Sequence, residues 1–159
     1  MRALGLVLLM ALQAPAAAED RSNAFNDPFV AVTNGLPGCP VAAGPLLTHE
    51  EALAESHGRA QRGVSCWLAG RCRLSNSYLY DAEIIPRVGI AVQADGRFAD
   101  TRVWALGQRR WVWLEGCVRS QAQRQALVAL VRDIDDVEGV IDELMVGTTG
   151  KPPYETLRP

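Results

Sequence analysis

Arg110-Trp111-Val112-Trp113-Leu114-Glu115-Gly116-Cys117-Val118 decides the fold of this chain. Side chains alternate across a strand, so the run presents Val112, Leu114, Gly116 and Val118 on one face. The other face carries Trp111, Trp113, Cys117 and, as its only charge, Glu115. Neither side is built mainly for water. A small sheet backed by helices needs a single apolar face, so the second face requires a cover or a ligand.

The segments on either side supply the rest of a module. Upstream, Thr101–Leu106 keeps the two-residue rhythm, with Val103 and Ala105 inward and Trp104 and Leu106 outward. Gly107-Gln108-Arg109 is expected to turn the chain, which makes Arg109 and Arg110 turn residues. Downstream, Ser120-Gln121-Ala122-Gln123 is a capping-box pattern that opens a helix running to about Asp133. The buried stripe of that helix is Leu127, Leu130, Val131 and Ile134. A last strand, Val140–Val146, turns Val140, Leu144 and Val146 inward, and Asp142 interrupts the series. Before the hairpin, Asp81 precedes a helical pattern of Ile84, Ile85, Val88 and Val92. Pro86 sits near its first turn and predicts a regular start only around Ile85, or a bend. Asp95-Gly96-Arg97 ends it. From Asp81 the order is helix, strand, strand, helix, strand. The predicted fold is therefore α+β: a three-stranded sheet with two helices on one face, a module of about 65 residues that can fold alone.

Composition bounds what surrounds this module. The chain has 159 residues, 48% hydrophobic, 6% aromatic, with a net charge of −2. That describes one ordinary domain with appendages. The mild acidity supplies no general attraction for nucleic acid. At the start, Arg2, the apolar stretch Ala3–Leu12 and Ala16-Ala17-Ala18 form a secretory signal pattern, and residues 1–18 are expected to be removed. The apolar stretch is too short to span a bilayer, so no transmembrane segment is expected. The mature protein should begin near Glu19 and work in the periplasm.

Export governs the reading of Cys39, Cys66, Cys72 and Cys117. An even count in an oxidising compartment favours disulfides, and four cysteines permit three pairings. Cys66–Cys72 with Cys39–Cys117 is the preferred arrangement. Zinc binding, with His49 or His57 as further ligands, competes with it, but the spacings do not match common zinc patterns. A redox pair is also disfavoured, because no Cys-x-x-Cys is present. No metal or cofactor is expected. Residues 19–80 read as an extension with one short helix. Its turn-rich start contains Asn26-Asp27-Pro28 and Gly35–Pro40; Thr48-His49-Glu50-Glu51 caps the helix, and Gly63 stops it. Gly147–Pro159 reads as a flexible tail; the domain is bounded at 81–147.

The element order and its residues resemble the BON domain of bacterial envelope proteins. The clearest carriers are Val112-x-Leu114-x-Gly116-x-Val118-x-Ser120 with Arg124-x-Ala126, followed by Ile134-x-Asp136-Val137-x-x-Val140-x-Asp142-x-Leu144-x-Val146. The family usually has glycine where Asp136 sits, and another in the hairpin near Arg110; both departures imply altered turns. The resemblance implies a non-enzymatic envelope module linked to phospholipid binding, osmotic protection and the assembly of complexes. It carries no catalytic set.

Two surfaces are the candidates for binding. The outer sheet face, with Trp104, Trp111, Trp113, Leu106 and Cys117, is either an apolar platform or the floor of a second core covered by the extension. Cys117 favours the cover, since all its possible partners lie in that extension. Such a bond would stabilise the fold by roughly 3–5 kcal/mol in the chain-entropy picture. Arg97, Arg102, Arg119 and Arg124 are expected to gather at one end of the sheet. There they either meet phosphate head groups or pair with Asp95, Asp100 and Glu115. His49 and His57 lack metalloprotease spacing, and Ser65, Ser75 and Ser77 lack a nucleophile elbow, so no catalytic residue is expected. The expected partner is a phospholipid surface or another envelope protein. An oligomerisation module of an envelope or secretion complex is the alternative, and a metal-binding or redox protein the weaker one. Oligomeric state is left open.

Overall fold

A computed structural model describes residues 19–157. The expected leader, residues 1–18, lies outside the described residues. The chain forms an α+β fold around a mixed sheet of four strands, not three. The added strand is β1 (Phe29–Asn34), contributed by the extension. It pairs antiparallel with β2 (Arg102–Gln108), which pairs antiparallel with β3 (Trp111–Val118). β4 (Gly139–Val146) closes the sheet parallel to β3, giving the order β1-β2-β3-β4. The missed strand has a physical reason. Its pairing slips between Ala31 and Thr33, and only Val32 is fully buried, so no two-residue alternation marks it.

Among the described residues three α-helices accompany the sheet. α2 (Asp81–Asp95) and α3 (Gln121–Arg132) cover one face. Between them and the sheet, Ile84, Ile85, Val88, Val92, Leu127 and Val131 are sealed against Val103, Val112, Leu114 and Leu144, each at most 1% exposed. α2 begins at Asp81 and runs through Pro86. A proline this early forgoes one bond, to the Ala82 carbonyl, and a 3₁₀ turn at Ser77–Tyr80 already leads into the helix. α1 (His49–Leu68) is longer than its sequence signals implied, because it continues through Gly63. Gly63 is a contact point rather than a stop: its bare backbone lies against the Asn76 side chain, and its carbonyl accepts from the Ser77 hydroxyl at 2.9 Å.

α1 is tied to the sheet by a buried ion pair. Arg59 reaches both carboxylate oxygens of Asp27 at 3.0 and 2.5 Å, and Gln108 Nε2 donates to the same carboxylate at 2.6 Å. The Arg59 guanidinium also lies between the rings of Phe25 and Tyr78, 4.2 and 3.8 Å from their centroids. A bidentate, stacked guanidinium of this kind lets an arginine and a carboxylate be buried together.

The turns correct two expectations. The hairpin turns at Arg109 and Arg110, with φ of 57° and 68°, not at Gly107–Arg109. Two left-handed residues match a tight hairpin to the sheet's twist. They are held there by the Asp81 carboxylate, which accepts from both backbone N–H groups at 2.6 and 2.7 Å. Asp136, where the resemblance expected glycine, keeps the left-handed conformation at φ 71°, which aspartate tolerates. At both turns a non-glycine residue thus takes the left-handed conformation that glycine adopts most easily. Gly116, by contrast, cannot be replaced: its φ is 130°, and a Cβ would collide with the Arg102 carbonyl oxygen.

Candidate functional site

The outer face of the sheet is divided. At the end near Cys117, Trp104 and Cys117 are buried under Leu36, Cys39, Ala42 and Tyr154. The Cys39–Cys117 disulfide, with Cα atoms 5.8 Å apart, pins the extension to β3. The closing segment, expected to be loose, lies over the same end. It pairs with the extension through Ala43 N–H to the Glu155 carbonyl (2.9 Å) and Leu157 N–H to the Val41 carbonyl (3.0 Å). The Tyr154 hydroxyl donates to the Pro40 carbonyl at 2.8 Å. Two segments of cover, one covalently anchored, thus convert half the face into a second core.

The hairpin end is less enclosed. Trp111 and Trp113 are half-buried, and so is Ile141, the residue opposite Trp113. The Trp111 ring rests on Gly139. Between the two ends sits Glu115, only 8% exposed, with an Oε2 that finds no hydrogen-bond partner among the described residues. Burial, with Glu143 and Glu155 adding like charge, pushes its carboxyl up to about 7. Burial also lifts the Tyr154 hydroxyl to about 12, with Glu115 adding to the effect.

The four arginines do not form a free cationic cluster. Arg97 chelates Asp95 at 2.6 and 2.7 Å, Arg119 meets Asp100 at 2.9 Å, and Arg124 meets Asp142 at 2.8 Å. Arg102 lies on the outer face with its guanidinium 5.1 Å over the Trp104 ring. Glu115, offered as an acidic partner, pairs with no arginine among the described residues. Arg110 does more than turn the chain. It donates to the Asp136 carbonyl at 2.9 Å and lies over Tyr80, fastening the hairpin to the turn before β4.

Cys66 and Cys72 are also joined, with Cα atoms 5.4 Å apart, so every cysteine is in a disulfide. The zinc and thiol-redox readings therefore lose their ligands. Among the described residues, no group of three histidine, cysteine, aspartate or glutamate side chains could hold a metal ion. His57 faces Gln61 along α1 at 3.3 Å. No helix of the described residues is long and apolar enough to cross a membrane.

Sequence reading missed three contributors: Asp27, Asp81 as hairpin clamp, and Tyr154. Asp81 was visible as a helix start, and Tyr154 as the lone aromatic of the closing segment. Asp27 sits in a turn-like Asn-Asp-Pro that gives no hint of burial. Residues 80–148 match the model of the BON domain family. No curated protein matches the chain.

Proposed function

Because residues 80–148 are a BON domain, a family associated with periplasmic and envelope proteins and with phospholipid binding, we propose that this protein is a non-enzymatic envelope module that attaches to phospholipid surfaces. The family match is the observation that carries the reading. The family is generally non-enzymatic, and the arrangement of side chains is consistent with that. One face of the sheet is spent on α2 and α3, and half of the other on the disulfide-pinned cover. What remains for binding is the outside: helix surfaces, loop tips and the half-open tryptophan end. Work in the periplasm after export accords with two disulfides in a chain of this size.

Sedimentation with vesicles of phosphatidylglycerol and phosphatidylethanolamine across a salt series tests the lipid reading. Binding at low salt that weakens as salt rises is the expected result. No binding at low salt removes it.

A second reading is favoured by the arginines, three of which are neutralised within the protein. In it the module builds an envelope complex without touching lipid. A stable oligomer by light scattering, together with indifference to vesicles, selects that reading.

A further inference from the structure

The end of α1 is an unusually fixed apolar tip. Trp67 is 48% exposed and Leu68 70%, and Ala69, Gly70 and Arg71 are exposed after them. Such side chains usually fold back when a loop is free to move. Here it is not. Gly70 adopts φ 69° and its N–H donates to the Trp67 carbonyl at 2.9 Å, while Arg71 N–H donates to the Cys66 carbonyl at 3.0 Å. That pair of bonds is the helix-ending motif in which glycine takes the left-handed position. The Cys66–Cys72 disulfide closes the same turn a second time. The tip is thus doubly locked with its tryptophan and leucine turned to solvent.

The stretch of sequence that holds it is basic, and one of its cations is left over. Between Glu55 and Asp81 the sequence has no acidic residue, yet Arg59, Arg62, Arg71 and Arg73 fall there. Arg59, Arg62 and Arg73 reach acids outside the stretch: Asp27, Glu55 and Glu83. Arg71, in the tip itself, makes no ion pair among the described residues.

We propose that the tip Cys66–Cys72 is a membrane-surface anchor, which seats Trp67 and Leu68 in the interfacial layer of an anionic phospholipid surface with Arg71 at the phosphates. This rests on the lipid reading above and locates the contact outside the BON domain. The chemistry favours a lipid surface over a protein. Two apolar side chains and one cation offer far less than the roughly 800 Å² per partner of a stable protein interface. Tryptophan, however, suits the headgroup layer, and leucine the acyl boundary beneath it. The locked loop also loses little freedom on insertion.

Vesicles of phosphatidylglycerol and phosphatidylethanolamine are the probe, with the full chain carrying both disulfides. The double variant Trp67→Ser/Leu68→Ser should bind at least about tenfold more weakly, from the apolar area withdrawn. Arg71→Glu should lose about fivefold or more at low salt. Vesicles should shield Trp67 from acrylamide quenching in the unsubstituted protein, and Trp67→Phe should abolish that change. All three variants should melt like the unsubstituted protein, because the altered side chains are exposed. If the substituted tips bind as tightly as the original and Trp67 stays open to the quencher, the anchor is overturned while the lipid reading stands. If the unsubstituted protein ignores the vesicles, both fall.

Discussion

The two faces of the sheet are built by opposite means. The inner face is sealed by helices that flank its strands closely in sequence, and its core is mostly aliphatic, with Phe98 and Tyr80 as its aromatics. Half of the outer face is sealed from a distance, by the extension and the closing segment, and that half is built around a tyrosine and a disulfide, with a buried carboxyl group at its border. One is held by shape, the other by a covalent bond and a few hydrogen bonds. A surface that its own module cannot cover must be covered by chain from elsewhere, and that chain needs a fastening.

This contrast can be broken most severely at Cys39–Cys117. Serine at both positions should cost about 4–5 kcal/mol in the chain-entropy picture, since the bond closes 78 residues. The same change at Cys66 and Cys72, six residues apart, should cost about 2–3 kcal/mol. Urea unfolding of the two double variants checks the ordering, and equal losses would mean that the cover contributes little. On the inner face Leu114→Ala should cost about 3 kcal/mol through the cavity it leaves, read by the same unfolding curves.

Glu115 sharpens the comparison with the opposite sign. Its carboxyl titrates near 7 in the folded protein against an ordinary 4.5, so the native state holds the extra proton between those values. Its contribution is fully present below about 4.5 and is lost as pH rises through about 7. The groups around it, Glu143 and Glu155, supply like charge, and burial raises Glu143 as well. Glu115→Gln should therefore stabilise the protein at pH 8 by about 1–2 kcal/mol, with little effect at pH 5. Asp81, raised to about 6 chiefly by burial, tilts stability in the same direction and should leave a residual slope in that variant. Thermal melting from pH 4 to 8 measures both, and an unchanged profile in the glutamine variant would show that Glu115 is not the titrating group. The smallest expected effect is Tyr154→Phe, which removes the bond to the Pro40 carbonyl and should cost about 1 kcal/mol.

What could be read in the sequence follows the same division. The inner face was legible because Val103, Ala105, Val112 and Leu114 keep a period of two, and Ile84, Val88, Leu127 and Val131 keep helical spacing. Each periodicity is set by a local backbone geometry. β1 was not legible, because it is an edge strand whose register slips and whose partner lies far along the chain. The closing segment fared likewise: Tyr154 is buried among Leu36, Cys39, Ala42, Trp104 and Cys117, all far from it in sequence, a contact no local pattern encodes. For the candidate site, residue types were easier to read than neighbours. The arginines near the sheet's end were visible, and so were Asp95 and Asp100. Asp142 as the partner of Arg124 requires knowing that β4 runs beside β3, which places it next to α3.

The two disulfides are nested: the Cys66–Cys72 bond lies wholly inside the loop closed by Cys39–Cys117. The inner bond joins neighbours and can form as soon as the end of α1 coils. The outer bond must close 78 residues, an encounter that costs more chain entropy and that the seating of Cys117 on β3 beside the extension favours. Loop length therefore favours the inner bond first and the outer bond as the sheet assembles. A chain that oxidises while it folds would tend to gain the small loop first and the large loop later.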